Sequence, residues 1–292
     1  MTSKIPATLQ LLPPAKILIT GCSSGIGYHC AKTLHQMGYK VIATCRQPAD
    51  VERLRHEGLT CFELDLASSE SIQQGLQTIL AHTDGRLDAL FNNGAFGLPG
   101  AVEDLSRAAM EYQFQTNVFG TQELTNAVIK VMRAQGHGKI LYNSSILGFA
   151  AMQYRGAYNA SKFAIEGFAD TLRLEVQKDN IQISLIEPGP ILSRFRENAY
   201  EQFKRWISLE GSAHRQNYEA MIKRLETVGP SAPFTLGPDA VTACVIHALQ
   251  SKRAKIRYRV TVPTKAFAVL KRLLPTRWLD KLLTQAGGDG KR

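Results

Sequence analysis

Short apolar runs alternate along the chain with longer stretches in which apolar residues recur every three to four positions. Ile17, Leu18 and Ile19 form a run too short for a helix and read as a buried strand, which Thr20 and Gly21 end. From Gly25 the spacing changes. Ile26, Cys30, Ala31, Leu34 and Met37 define one helix face, and that helix is expected to stop near Gly38. The same alternation predicts strands at Lys40–Thr44, Leu59–Leu64, Leu87–Phe91, Gly138–Asn143, Ile181–Ile186 and Lys255–Val260. Helices are expected after Pro48 and over Ser69–Ala81 (capped by Ser68 or Ser69), Leu105–Ala134, Arg155–Gln177 and Asp239–Gln250. Alternation of this kind predicts an α/β fold, a doubly wound parallel sheet with helices on both faces. Ligands of such sheets sit beyond the carboxyl ends of the strands.

Three departures from the alternation divide the chain. Residues 1–15 read as a loose lead-in to a single domain over 16–262. Between Pro190 and Pro238 the alternation stops, and Phe195, Tyr200, Phe203, Trp206, Tyr218 and Phe234 stand among many charges. A connection this long is expected to be a substrate lid, the other reading being a surface helical hairpin. Residues 263–292 form a basic amphipathic extension. Ala266, Phe267, Val269, Leu270, Leu273 and Leu274 oppose Lys265, Lys271 and Arg272, and Trp278, Leu279, Leu282 and Leu283 oppose Arg277 and Lys281.

The charge sharpens this division. Of the net +10, all belongs to residues 251–292, which hold twelve Lys/Arg and two acids; the first 250 residues are neutral. Basicity therefore says nothing about the body, and no basic–aromatic groove points to nucleic acid. The extension is expected either to dock on the body or a second subunit, or to touch an anionic membrane surface weakly. Five cysteines without a C-x-x-C pair read as reduced thiols, and no His or Cys spacing suits a metal. Neither a signal peptide nor a membrane-spanning run is evident, so a cytoplasmic location is expected.

Chemistry concentrates at strand ends. The first strand runs through Gly21, Gly25 and Gly27 into a helix, an arrangement suited to a diphosphate because backbone N–H groups and the positive helix end face the ligand. On the helix expected over Arg155–Gln177, Tyr158 and Lys162 lie four apart and share a face. An ammonium beside a phenol is expected to lower its pKa and make Tyr158 a general acid/base. Ser144 and Ser145, just past the fifth strand, can supply a hydroxyl to a substrate oxygen.

Thr20-Gly-Cys-Ser-Ser-Gly-Ile-Gly27, Asn92-Asn93-Gly94, Asn117, Ser145, Tyr158-x-x-x-Lys162 and Pro188-Gly189 together resemble the short-chain dehydrogenase/reductase superfamily, over about Lys16–Val262. The likeness is greatest to the branch of 17β-hydroxysteroid and retinol dehydrogenases and, in the tail, to bacterial aldehyde and ketone reductases. The resemblance implies a Rossmann-type fold and an oxidoreductase interconverting an apolar aldehyde or ketone and its alcohol. Tyr158 would exchange the proton, Lys162 would tune it and hold the nicotinamide ribose, and Ser145 would bind the substrate oxygen. Asn117 would hold a water linking Lys162 to solvent. Gly21, Ser23, Ser24, Gly25, Ile26 and Gly27 would cradle the cofactor. Asp65 and Leu66 would bracket adenine, Asn92 and Gly94 its ribose, and Pro188, Gly189 and Ser193 the nicotinamide.

NADP(H) is the expected cofactor, because the second strand ends in Arg46 with no acid to bind a ribose 2′-hydroxyl. An apolar substrate pocket is expected from Phe96, Leu98, Phe149, Met152, Phe195, Phe203 and Trp206, with Tyr154 packing nearby. A homodimer or tetramer paired through the long helices is the default of the superfamily. The rival readings are an NAD(H)-dependent alcohol dehydrogenase, a nucleotide-binding module without catalysis, and an epimerase or dehydratase. One departure is visible: the superfamily's Asn-Asn-Ala-Gly appears as Asn92-Asn93-Gly94-Ala95. A positive φ at the fourth position would strain Ala95.

Overall fold

Ile17 and Ile19 point into one core with Val41, Ala43 and Phe91, while Leu18 points into the other with Ile42 and Leu90. This period of two, buried on both faces, is what a central parallel strand requires. In the computed structural model, which describes residues 8–226, 229 and 232–288, the sheet has seven parallel strands in the order β3-β2-β1-β4-β5-β6-β7. They are β1 (Lys16–Ile19), β2 (Lys40–Cys45), β3 (Thr60–Glu63), β4 (Ala89–Asn92), β5 (Gly138–Asn143), β6 (Ile181–Glu187) and β7 (Arg257–Arg259). Strand order reverses between β1 and β4, which opens a crevice beyond their carboxyl ends.

One face carries α1 (Gly25–Gln36), α2 (Pro48–His56) and α9 (Pro238–Gln250). The other carries α3 (Ser69–His82), α5 (Thr121–Gln135) and α6 (Gly156–Glu175). Ser68 is the cap of α3, its Oγ accepting from the Ser71 N–H at 3.2 Å. Strand β7 is fastened by charge. Arg257 reaches Glu187 at 3.0 Å, Glu166 at 3.0 Å and Asp170 at 2.6 Å, joining the sheet to α6.

The expected long helix over Leu105–Ala134 is interrupted. A first piece, α4 (Arg107–Phe114), passes into a wider π turn at Gln115–Gly120 before α5 begins. Gly120 lies so close to the chain at Leu66 that a Cβ would sit 1.7 Å from the Leu66 carbonyl oxygen. That contact, invisible in the apolar period, fixes where the helix adjusts.

The lead-in is not loose where it is described. Leu11 is buried, its N–H donates to Leu249 O at 2.9 Å, and its carbonyl accepts from the Tyr39 hydroxyl at 3.0 Å. Residues 1–7 lie outside the described residues. The insertion after Pro190 is a hairpin of α7 (Phe195–Trp206) and α8 (Arg215–Glu226). Phe203, Tyr218, Met221 and Leu225 seat it in a third core against Leu98, Leu105 and Ala157. The extension forms α10 (Val262–Leu273) and α11 (Thr276–Gly287), and Phe267, Leu279 and Leu283 pack over Ile146, Leu147 and Ala150. No described helix is long and apolar enough to cross a membrane.

Candidate active site

A cavity of about 680 Å³ lies over the switch point, running from Gly21–Ile26 past Ser145, Tyr158 and Lys162 to the α7/α8 hairpin and α10. Its floor is the loop between β1 and α1. Gly21 holds φ +69°, a conformation that favours glycine, and a Cβ there would meet Gly94 Cα at 2.7 Å. Gly94 in turn presses on Leu66 and Thr20 and has no positive φ, nor has Ala95. The swapped Gly94-Ala95 pair is therefore unstrained: the glycine is needed for close approach, and the expected positive φ is absent.

Side chains from β4 and β5 lock this loop. The Thr20 hydroxyl accepts from the N–H groups of Asn93 (3.0 Å) and Gly94 (2.9 Å). Asn93 Nδ2 donates to the carbonyls of Thr20 (2.9 Å) and Gly21 (3.1 Å), and its Oδ1 accepts from Asn143 Nδ2 at 2.9 Å. The Asn143 carbonyl then accepts from Lys162 Nζ at 2.6 Å. A hydrogen-bonded path thus joins the glycine loop to the ammonium. The sequence assigns no role to Asn93 or Asn143, although their place at the ends of β4 and β5 is a signal. Asn92, expected at the adenosine ribose, turns its side chain into the core and donates to Thr125 Oγ1 at 2.9 Å. Period-two alternation explains the exchange: Asn93 faces the cavity because Asn92 does not.

Asn117 sits in the π turn and is buried. Its Oδ1 accepts from Phe96 N at 3.1 Å, and Nδ2 donates to Phe96 O at 2.9 Å and to Ser161 Oγ at 3.1 Å. Both amide hydrogens are committed to clamping the loop after β4 onto α6, so the expected contact with a water near Lys162 cannot use them. Gln113, a second clamp, bonds Phe96 O at 2.9 Å and Leu98 N at 2.8 Å.

Tyr158 and Lys162 share a face of α6, with Nζ 5.7 Å from the ring centroid. The electrostatics differ from the expected lowering of the phenol by the ammonium. Burial pushes Tyr158 up to about 12, with Ser145 hydrogen bonding and the Arg155 guanidinium pulling it partly back. Burial likewise holds Lys162 down to about 8. The cation that acts on Tyr158 is Arg155, at the start of α6. Ser145 Oγ accepts from Leu147 N at 3.1 Å, which orients it at the cavity wall.

The remaining candidates divide between cavity and rim. Ser23, Ser24, Ile26, Pro188, Gly189 and Ser193 line the cavity; Arg53 fixes Ser23 through its carbonyl at 2.6 Å. Gly27 lies behind the loop, where a Cβ would meet Gly21 O at 2.3 Å. Arg46 is exposed just after β2, and Asp65 and Leu66 follow β3, all outside the cavity lining. Asp65 turns its carboxylate onto the Ala67 N–H at 2.9 Å. Leu98, Met152 and Phe195 line the cavity, and the Phe195 ring meets Tyr158 edge-on at 5.3 Å. Phe96, Phe149, Phe203 and Trp206 do not line it. Phe203 is spent on the hairpin core, and Trp206 stacks on Tyr112 at 5.5 Å. Ala199, Leu225, Phe234 and Phe267 take their place, positions that only the folded hairpin and tail bring together. Tyr154 packs, receiving Asn217 Nδ2 at 2.5 Å.

The short chain dehydrogenase family profile matches residues 15–204. The oxidoreductase YbbO of Escherichia coli is 44% identical over 267 residues, covering 91% of this chain and 93% of its own. Human retinol dehydrogenase 8 is 40% identical over 192 residues, covering 62% of this chain and 60% of its own. Among solved structures, a short chain dehydrogenase/reductase from Burkholderia phymatum in complex with NAD superposes with a TM-score of 0.74 at 20% identity, over 90% of this chain and 94% of that one. The alcohol dehydrogenase of Thermococcus sibiricus complexed with 5-hydroxy-NADP gives 0.68 at 21% identity, over 85% and 96%. With its glycine loop, its switch-point cavity and a family profile spanning more than half its length, the chain belongs to the short-chain dehydrogenase/reductase family of oxidoreductases.

Proposed function

We propose that this oxidoreductase interconverts an aldehyde or ketone on a largely apolar substrate and the corresponding alcohol, using NADP(H), with Tyr158 as the general acid/base. The observation that carries the reading is the meeting of Ser145, Tyr158 and Lys162 in one cavity with a phenol held protonated by burial. The glycine cradle fits a dinucleotide: Gly21 and Gly94 leave the space that a diphosphate needs, and the N-terminus of α1 faces it. Gly21–Gly27, Ser193 and Lys162 would hold that group, with Arg46 against a 2′-phosphate. When bound, NADPH supplies the hydride that reduces the carbonyl carbon. The chain's own part is proton transfer and positioning. Ser145 Oγ–H donates to the substrate oxygen, Tyr158 donates its proton to the same oxygen as charge develops there, and Phe195 and Leu98 exclude water.

The resemblance to a retinol dehydrogenase supports an apolar carbonyl or alcohol, and so do Leu225, Phe234 and Phe267 in the lining. Exposed Phe119 in the π turn and Phe163 and Phe168 on α6 favour pairing of two chains there. The α7/α8 hairpin serves as substrate lid in this reading, and free thiols throughout fit a cytoplasmic location. The test is direct: purified protein with NADPH or NADH and a panel of aldehydes and ketones, followed at the reduced-nicotinamide absorbance. Turnover of apolar carbonyls with NADPH is the expected outcome. Absence of turnover with every carbonyl and every alcohol would overturn it.

A further inference from the structure

Behind the cavity wall that carries Tyr158, helix α6 continues as a row of charge. Lys162 and Glu166 lie four residues apart on one face of the helix, and both are buried, at 4% and 8% exposure. Asp170 follows at the next turn and is partly exposed. Arg257 reaches across from β7 and grips Glu166 Oε2 with two nitrogens, Nε at 3.2 Å and Nη2 at 3.0 Å, while Nη2 also meets Asp170 at 2.6 Å. Glu187 on β6 is the remaining acid of the cluster, held by Arg257 at 3.0 Å and Arg259 at 3.3 Å. The other oxygen of Glu166 turns toward the active site. A Cβ on Gly148 would sit 3.2 Å from Glu166 Oε1 and 2.6 Å from Ser144 Oγ, so this oxygen faces the chain at Ser144. The residue before it, Asn143, is the one whose carbonyl accepts from Lys162 Nζ at 2.6 Å. Ammonium and carboxylate thus meet the same short stretch of chain, Asn143-Ser144, from neighbouring turns of α6.

A buried ammonium sheds its proton unless a counter-charge stands near. Burial lowers Lys162, and the Glu166 carboxylate pulls it back toward its charged form. Glu166 meets the same penalty: burial raises it, and Ser144 and Arg257 pull it partly back. The charges therefore depend on one another in sequence, Glu166 on Arg257 and Lys162 on Glu166. Arg257 lies on the last strand, outside residues 15–204 that the family profile matches. We propose that Glu166 is a positioning residue that acts through Lys162: held by Arg257, its carboxylate is the buried counter-charge that keeps the ammonium of the cavity wall charged. The effect on turnover rests on the proton-transfer reading above, in which the ammonium stands beside the Tyr158 ring. The effect on the charge of Lys162 does not. A charged Lys162 favours the phenolate left when Tyr158 gives up its proton, and a neutral amine does not. The row of charge thereby links the edge strand of the sheet to the phenol.

The experiment reads the charge directly. Protein carrying isotope-labelled lysine is titrated by NMR without cofactor or substrate, and the Lys162 signal is identified by its loss in Lys162→Gln. In wild type the midpoint is expected at about 8. In Glu166→Gln, which keeps the volume and removes the charge, the midpoint should fall by about one pH unit or more. Glu166→Asp keeps a carboxylate one methylene further back and should fall between the two, and it decides the matter if the Gln variant does not fold. An unchanged midpoint in the folded variants would overturn the proposal. Turnover gives a second readout. With saturating NADPH and an apolar aldehyde, the kcat deficit of Glu166→Gln against wild type should grow about fivefold between about pH 6 and pH 8, as the unsupported ammonium is lost. A merely structural role would lower kcat by one factor at every pH. A shifted midpoint with a pH-independent deficit would support the counter-charge and overturn the part of the ammonium in turnover. Absence of turnover with every carbonyl would overturn the carbonyl reading alone, because the NMR titration still decides the counter-charge.

Discussion

Asn143 Nδ2 donates to Asn93 Oδ1 at 2.9 Å, across the ends of two neighbouring strands. Asn93 spends its own amide on the glycine loop, and the Asn143 carbonyl receives Lys162. Under the proposed reading, cradling phosphates and placing an ammonium are thereby tied to adjacent strands. In Asn143→Ala the main-chain contact to Lys162 survives, but Asn93 Oδ1 loses its donor. Asn93 is only half-buried and faces the cavity, so losing this bond costs about 0.5–1.5 kcal/mol. NADPH dissociation constants, titrated by fluorescence, should rise by up to about tenfold, with a smaller fall in kcat. Unchanged affinity would show that the latch does not hold the loop.

Proton transfer sets the second prediction. A phenol near 12 stays protonated at neutral pH, so reduction has its acid ready and should be nearly flat in pH where the fold is intact. Alcohol oxidation needs the phenolate, and its rate should climb by about tenfold per pH unit below the working pKa. Tyr158→Phe removes the transferable proton and should lower kcat about 100-fold or more in both directions while NADPH still binds. A pH-independent oxidation rate would place the proton elsewhere.

Arg46 is exposed after β2, and no acid stands at that strand end. Arg46→Ala should raise KM for NADPH about tenfold and change KM for NADH little, since only the former carries a phosphate for the guanidinium. Equal kcat/KM for the two cofactors in wild type would refute the preference.

Arg257 unites three carboxylates, of which Glu187 is almost fully buried. Burial raises Glu187 to about 7. Arg257→Met should cost about 3 kcal/mol, read by urea denaturation near pH 8. The pH dependence has a definite sign. A carboxyl whose folded pKa exceeds its ordinary 4.5 binds its proton more tightly when folded, so its contribution is lost as pH rises between 4.5 and about 7. The variant should therefore regain part of its stability at pH 5.

These contrasts show where the sequence speaks and where it is silent. Strand β1 and helix α6 were legible because apolar period is a local property, and Tyr158 with Lys162 follows from four-residue spacing alone. The break in α4–α5 was not, because it depends on Gly120 meeting a carbonyl 54 residues earlier, at Leu66. Asn92 and Asn93 differ only in which face of β4 they take, and the strand end had to be placed to one residue to choose. Arg155 looked like an ordinary helix start. It stands three residues before Tyr158, so spacing allows the contact, but its weight comes from the burial of the phenol in the cavity wall, which spacing does not encode.

The tail carries the last prediction. Docking uses only one of its apolar faces. Phe267, Leu279 and Leu283 pack over Ile146–Ala150. A second stripe, Val262, Ala266, Val269 and Leu273, follows the i, i+4, i+7, i+11 rule and lies exposed, with Leu273 at 73% and Trp278 on the next helix at 67%. Lys265, Arg272, Arg277 and Lys281 are exposed beside it. Val262 and Ala266 also line the cavity, so the stripe runs from its mouth. An apolar ridge flanked by cations suits the boundary of an anionic bilayer, each basic residue adding about 1 kcal/mol near the surface. Intact protein should float with anionic vesicles at low salt and be released by high salt, as Coulomb screening demands. Leu273→Glu combined with Trp278→Glu should abolish flotation without changing the melting temperature, because both side chains point to solvent. No flotation of the intact protein would leave the ridge to a second subunit, and sedimentation of the same double variant would then show a loss of self-association.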